Sequence, residues 1–580
     1  MAVMRTEYPR PWFKRDEWVM LNGEWEITFD DERVGIGERY WEGKVSFDKR
    51  INVPFSYQYP ASGIGDTDVH ETLWYRRTFG LTDEQRSKRT LVCFNGCNYE
   101  TDVWINGIHA TNHKGAFSPF QIDITDLLVE NENVIVVRCI DSYNPALPRG
   151  KQSYKGEQFG CWYISNGGIW QSVWLEFFED DCIVEASITP DIDEFSFSGE
   201  IETLYGMADS IEVLVMFEGE MVKKQTFTLD GKYTRYTVRL MEGDCIYDTM
   251  YWELDSPKLF YVDFRLLKDN KVVDLAHARF GMREISIDSQ GQICLNHRPV
   301  YQRLVLDQGY WKESGITPPS AEALKRDILM SKEMGFNGAR KHQKMEDPYW
   351  YYYADELGFL TWCEMPSAYY FNNTQIAALS QEWQDIIRVA KNFTSVITYV
   401  PFNESWGIRR VSKSQRQKDY VRSLYYLTKA TDPSRLVSSN DGWENDVTTD
   451  VITIHDYAKS GNDFPQRYTE ENYNSMYPQN RKLMLDGEVY HGQPVLFSEF
   501  GGIALQKNVH GDKWGYGKHA KNEEDFYSRL ENLMNGIDAC DFQGYCYTQL
   551  TDVQQEVNGL LDESHNTKYD FERIKAILVK

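Results

Sequence analysis

Along the first third of the chain, apolar and polar residues alternate with a period of two. LVCFNGCNYETDVWINGIHA (91–110) is the clearest case, and it carries an Asn106-Gly107 pair at the point where two strands must reverse. Asn-Gly tolerates the left-handed backbone of a two-residue hairpin, so the segment predicts two paired strands. ENENVIVVRCID (130–141) and GGIWQSVWLEFF (167–178) are two further strands. Short strands at this spacing predict a β-sandwich of the jelly-roll kind over residues 1–180. The same texture continues through SIEVLVMFEG, YTRYTVRL and LFYVDFRLLK, which predicts an immunoglobulin-like sandwich over 181–284.

From residue 285 the period changes. SAEALKRDILMSKEMG (320–335) puts Leu324, Ile328, Leu329 and Met334 on one helical face and stops at Gly335. PYWYYYADELG (348–358) and EWQDIIRVAKNF (382–393) are further helices, each followed by a short apolar strand. Strands are expected near 302–306, 336–340, 359–363, 396–402, 436–440, 451–455, 494–498 and 542–548. Eight strands alternating with helices predict a C-terminal (β/α)8 barrel over 285–580. The fold class is therefore multidomain: two β-sandwiches followed by an α/β barrel.

Bulk chemistry narrows the function. The chain has 580 residues, 88 acidic against 62 basic, for a net charge of −26. A nucleic-acid partner or an anionic membrane surface calls for the opposite sign, so neither is expected. No apolar run approaches the length of a membrane span, and the N-terminal residues lack a signal-peptide pattern, which makes the cytoplasm the expected compartment. The ten cysteines are scattered singly, Cys245 among them, with no zinc-type spacing, and are expected as free thiols. Aromatic residues make up 14 % of the chain, with 17 Trp and 37 Tyr. Such rings suit sandwich cores and also the apolar faces of sugar rings. The pattern leaves the oligomeric state open, and a homo-oligomer is compatible with it.

Barrel chemistry sits just after the C-terminal ends of the strands. The polar residues at those positions are Arg303 and Asp307, Arg340, Lys341 and His342, Glu364, Asn403 and Glu404, Asn440, Asp441 and Trp443, His455, Asp456 and Tyr457, Glu499, and Tyr547, Gln549 and Asp552. Two glutamates stand out. VITYVPFNESW runs an apolar strand straight into Asn403-Glu404, and PVLFSEFGG does the same into Glu499, followed by two glycines. A carboxylate at the end of a buried strand is costly unless it is paired or near solvent, so chance placement of two is disfavoured.

The order of motifs resembles glycoside hydrolase family 2, the family of β-galactosidases, β-glucuronidases and β-mannosidases. LNGEWEITF (21–29), ETLWYRRTF (71–79), VWINGIHAT (103–111) and GGIWQSVWLE (167–176) are similar to its N-terminal sugar-binding domain. YWELDSPKLFYVDFRL (251–266) and FGMREISID (280–288) are similar to its middle domain and the barrel entry. NESW (403–406) and SEFGG (498–502) resemble its catalytic motifs.

The resemblance implies that Glu404 is the general acid/base and Glu499 the nucleophile of a retaining, exo-acting glycosidase. Asn403 then hydrogen-bonds the sugar hydroxyl beside the anomeric carbon and Tyr457 the nucleophile, while Arg340 and His342 line the site of the terminal sugar. No cofactor is implied. The family's magnesium ligands are not identifiable here, and HDY (455–457) is too isolated for a metal site.

Two departures bear on substrate. The family's glucuronidases read the uronate with an Asn-x-Lys motif after strand eight, and the stretch 547–566 holds none. The usual strand-eight tryptophan is replaced by Tyr547 and Gln549. With Asp307 in the loop after strand one and Trp443 as a wall, these predict a neutral terminal sugar, β-galactoside-like or a furanoside. The alternatives are a β-glucuronidase of the same family, or a non-catalytic carbohydrate-binding protein on this scaffold.

Overall fold

The computed structural model describes residues 5–241 and 248–579, so Cys245 lies outside the described residues. A six-stranded antiparallel sheet runs in the order Lys49–Val53, Gly23–Phe29, Thr72–Phe79, Asn133–Ile140, Glu100–Ile105, Ile108–Lys114. It faces a four-stranded sheet of Trp18–Met20, Val173–Phe178, Arg89–Phe94 and Phe120–Asp123. Inward residues of both, among them Trp25, Tyr75, Val92, Val137 and Leu175, form one core. The predicted hairpin is present: Asn106 and Gly107 turn with φ of 50° and 83°, and Ile105 pairs with Ile108.

A second sandwich follows. Ser196–Thr203 is its central strand on one side, and Ser210–Phe217 with Phe260–Lys268 pack on the other. Its core is rich in phenylalanine, including Phe197, Phe260, Phe264 and Phe280.

The eight expected barrel strands are all present and parallel. They are β1 (Gln302–Asp307), β2 (Gly338–Lys341), β3 (Leu360–Glu364), β4 (Val396–Val400), β5 (Leu436–Val437), β6 (Ile452–His455), β7 (Val495–Gly501) and β8 (Gly544–Thr548). The ladder runs β5-β4-β3-β2-β1-β8-β7-β6. Between β5 and β6 the barrel closes through single bonds, including His455 N–H to Gly442 O at 3.1 Å and Asp450 N–H to Val437 O at 2.9 Å. Leu304, Leu306, Leu360, Trp362, Ile397 and Leu496 fill the interior, and the small sheet of Ile285–Ile287 and Ile293–Leu295 plugs its lower end.

Local rules place the helices. Ser320 caps Ala321–Glu333 by accepting from Ala323 N–H at 3.2 Å, and Asp347 caps Pro348–Leu357, which ends at Gly358 with φ of 63°. Two expectations need correction. Leu329 is 47 % exposed and does not share the buried face of Leu324 and Ile328. The helix expected over 382–393 is Asn373–Ala390, begun earlier by the Asn372 cap. Nine cysteines among the described residues are free thiols, and no described helix is long and apolar enough to cross a membrane.

Candidate active site

The site is built on the C-terminal rim of β2 to β8. Arg340, on β2, is fully buried and acts as its hub. Its guanidinium lies 2.7 Å from Glu364 on β3 and 2.7 Å from Asp441 after β5. It also donates to the Ser498 carbonyl at 2.6 Å and approaches Glu499 at 3.3 Å and Asn403 Oδ1 at 3.3 Å. Burial opposes its charge, but Asp441, Glu364 and Glu499 outweigh that and raise its pKa well above the ordinary value. His342 Nδ1 lies 2.9 Å from Glu364.

Glu404 follows β4 in a left-handed backbone conformation, φ 52°, and Ser405 continues it at 56°. This region is costly for residues with a Cβ, and it survives where neighbours over-determine it. They do so here: Glu404 N–H donates to Asp441 O at 2.9 Å, Ser405 N–H to Asn440 Oδ1 at 3.0 Å, and Ser405 Oγ to Glu444 at 2.6 Å. The result aims the Glu404 carboxylate inward, where Oε2 accepts from Trp406 Nε1 at 3.2 Å.

Glu499 sits at an irregularity of β7, in register with His455 on β6. Such bulges re-aim side chains at functional rims. Tyr457 donates its hydroxyl to Glu499 Oε2 at 2.5 Å. The two glycines after Glu499 have a visible purpose. A Cβ on Gly502 would stand 2.3 Å from the Tyr516 ring, and Tyr516 stacks on Tyr457 with centroids 3.5 Å apart.

His455 joins the two glutamates. Its Nδ1 is 3.0 Å from Glu404 Oε1 and 3.4 Å from Glu499 Oε2, and its Nε2 is 2.6 Å from Asp441. Burial works against a charge on the ring, but Glu499, Asp441 and Glu404 outweigh it and push its pKa up to about 10. Burial would raise Glu404, but the hydrogen bond and charge of His455 overcome this and hold its carboxyl below the usual range. Glu404, His455 and Glu499 thus bring one side-chain atom each within 4.8 Å of one another.

The sandwich lends a loop to the rim. Arg149 and Gly150 N–H both bond Ser367 O at 3.0 Å, and a Cβ on Gly150 would collide with Gln343 O at 2.1 Å. Behind this clamp lies Lys151, a buried ammonium that makes no ion pair among the described residues. Burial opposes its charge, but Cys161, Glu556, Tyr369 and Glu404 raise its pKa. Across the mouth, Glu556 accepts from Tyr163 at 2.7 Å.

The structure thus gathers Glu404, Glu499, Asn403, Tyr457, Arg340 and His342. Trp443 borders them, edge-on to His455 with centroids 5.7 Å apart. Three expected sugar ligands lie elsewhere. Tyr547 packs in the layer between barrel and helices. The strand alternates, so Cys546 and Thr548 face inward, and Thr548 Oγ1 stands 3.2 Å from Tyr457. Gln549 is spent on Gln308 and Asn558 at 2.9 and 2.7 Å. Asp307 is paired with Lys341 at 2.5 Å and with Gly309 N–H at 2.8 Å. Arg303 sits at the opposite end of β1, donating to Gly335 O.

The chain does contain an Asn-x-Lys triplet after β8. Two residues past 547–566 the chain completes Asn566-Thr567-Lys568. Lys568 Nζ, however, binds Asp552 at 2.8 Å, and Asn566 Nδ2 binds Asp562 at 3.1 Å. Residues missed as site members are His455, Asp441 and Glu364, which were in the wider set at strand ends, and Lys151, which was not. The signal for His455 was present: it stands two residues before Tyr457, on the same side of the chain.

A barrel carrying a carboxylate pair on its C-terminal rim, fronted by two sandwiches, defines a multidomain protein of the glycoside-hydrolase type. The family model for the glycosyl hydrolases family 2 sugar binding domain matches residues 19–176, and that for the family's TIM barrel domain matches 285–512. The chain belongs to glycoside hydrolase family 2.

Among relatives, a Formosa agariphila protein provisionally named β-glucuronidase is 24 % identical over 458 residues, covering 75 % of this chain and 52 % of its own. A Vibrio vulnificus β-galactosidase is 25 % identical over 462 residues, covering 74 % and 43 %. The chain spans about half the length of these curated relatives. The Ruminococcus gnavus β-glucuronidase structure superposes with a TM-score of 0.78 at 20 % identity, covering 99 % of this chain and 100 % of its own, which shows the shared fold.

Proposed function

We propose that the protein is a retaining glycoside hydrolase that removes a terminal sugar by double displacement. Glu499 is the nucleophile and Glu404 the acid/base. The observation that carries this is their proximity, with one carboxylate oxygen of each within 4.8 Å of the other. Retention asks for carboxyl groups roughly 5–5.5 Å apart, and inversion for roughly 6.5 Å or more.

The surroundings separate the two roles. Glu499 is held by Tyr457 and Arg340, partners that favour a carboxylate able to attack. Glu404 is the more open of the pair, its side chain 20 % exposed against 5 % for Glu499, as an acid that must meet leaving groups and then water requires. Attack by Glu499 forms the glycosyl-enzyme as Glu404 protonates the departing oxygen. Glu404 then takes a proton from the water that frees the sugar. The sandwich loop that carries Lys151 is fastened to the rim at Ser367 O, which supports entry of one terminal residue.

The sugar we propose is neutral, because Lys568 is spent on Asp552. NMR of the first-formed product decides the stereochemistry, and a 2-fluoro analogue of the accepted sugar should label Glu499. Inverted product would overturn the assignment.

A further inference from the structure

His455 has no role in the double displacement as written, yet it touches both glutamates. Its Nε2 faces Asp441 at 2.6 Å, and Asp441 also pairs with the buried Arg340 guanidinium at 2.7 Å, whose charge holds it ionised against the effect of burial. Nε2 therefore carries a hydrogen. Nδ1 then points at Glu404 Oε1, 3.0 Å away, and Glu499 Oε2, 3.4 Å away. Without a proton on that side, a lone pair would face two carboxylate oxygens in a buried site, an arrangement of high energy. One proton must sit in the contact between Nδ1 and Oε1. It can be an imidazolium beside a carboxylate or an imidazole beside a carboxylic acid, and the proton count is the same.

We propose that His455 holds the catalytic proton for Glu404, passing it from Nδ1 to Oε1 when a leaving oxygen enters the site. The inference rests on Glu404 being the acid/base. In the step the Nδ1–H bond breaks and the Oε1–H bond forms, and the imidazolium and carboxylate charges cancel. Glu404 then protonates the leaving oxygen as Glu499 bonds the anomeric carbon. In the second half, the proton taken from water by Glu404 restores the pair. His455 acts through Glu404 and is a positioning residue in that sense. The charged groups facing it are Asp441, Glu404, Glu499 and, 3.5 Å from Nε2, Arg340; the Trp443 ring covers its side. The raised His455 and lowered Glu404 pKa values agree with the proton resting on the ring.

The test uses the full chain with aryl glycosides of the accepted sugar whose leaving groups differ in acidity. His455→Gln keeps an N–H donor but has no proton to give. Its rate on poor leaving groups should fall by about 100-fold or more, against less than about 10-fold on a dinitrophenyl glycoside. The basic limb of its kcat/KM profile should move to lower pH. Azide should accelerate Glu404→Ala but not His455→Gln, which keeps the Glu404 carboxylate in place. Equal losses on all leaving groups with an unmoved basic limb, seen also for His455→Asn at wild-type melting temperature, would overturn the proposal. Absence of azide rescue in Glu404→Ala would instead remove the acid/base reading beneath it.

Discussion

Trp162 of the N-terminal sandwich stands edge-on to Trp406 of the barrel, with ring centroids 5.0 Å apart at 82°. Trp406 in turn donates to Glu404 Oε2. The sandwich therefore braces the acid/base through one intermediate ring. Edge-to-face pairs contribute about 0.5–1.5 kcal/mol, so Trp162→Ala should lower kcat by about 2- to 10-fold. Trp406→Phe should cost at least as much, and the double variant no more than the worse single one. Strictly additive losses in steady-state kinetics would mean that the two rings do not act through each other.

Removing each glutamate should give different phenotypes. Glu499→Ala should abolish turnover in a folded protein. Glu404→Ala should lose natural glycosides yet keep some activity on activated aryl substrates, increased by azide, because a good leaving group needs no acid. Near-wild-type hydrolysis of an unactivated glycoside by Glu404→Ala would sink the assignment.

Tyr457 bonds the nucleophile at 2.5 Å. A hydrogen bond to a charged group is worth about 1.5–3 kcal/mol, so Tyr457→Phe should reduce kcat/KM by about 10- to 100-fold with the fold intact. A rate within twofold of wild type would leave the contact without functional weight.

Much of this was legible in the chain. The eight barrel strands were readable because each is a short apolar run between amphipathic helices. Glu404 and Glu499 stood out because each ends such a run. Tyr547 and Gln549 were misplaced for a local reason: strand alternation faces Cys546 and Thr548 inward, and a one-residue error in register reverses every assignment. Asp307 looked free because Lys341, its partner, lies 34 residues away on the next strand. Lys151 was invisible for a longer-range reason, since only the docking of Gly150 against Gln343 brings a sandwich loop to the barrel mouth.

Glu382, on the helix Asn373–Ala390, is buried against the sandwich and accepts from Phe117 N–H at 2.7 Å. Burial pushes its pKa from 4.5 up to about 8. Below pH 4.5 both folded and unfolded chains hold this proton, and the group is silent. Between 4.5 and 8 the unfolded chain releases it while the folded one keeps it, so stability falls as pH rises, and the penalty is complete above 8. Glu382→Gln keeps the acceptor without the charge. It should raise the melting temperature by a few degrees near pH 8 and by little near pH 4.5. An equal shift at both pH values would show that ionisation is not the cause.

The sugar is the last question, and it turns on Lys568. Asn566-Thr567-Lys568 has the spacing of a uronate reader, but Lys568 is held by Asp552 at 2.8 Å and Asn566 by Asp562 at 3.1 Å. Turning Lys568 toward a sugar carboxylate would leave Asp552, only 7 % exposed, without its cation, and stranding a buried charge costs about 3–5 kcal/mol. Lys151 makes no ion pair among the described residues, but the Glu556 carboxyl shares its end of the site and would disfavour a uronate while accepting from a hydroxyl. A hydroxyl can accept from one and donate to the other. Nitrophenyl β-galactopyranoside, β-galactofuranoside or α-L-arabinofuranoside should therefore be cleaved faster than the β-glucuronide. Lys151→Met should raise KM for the preferred sugar, whereas Lys568→Met should lower the melting temperature and leave the order of sugars unchanged. A clear preference for the glucuronide, lost in Lys568→Met, would show that the Asp552 pair opens for substrate and that the site reads a uronate after all.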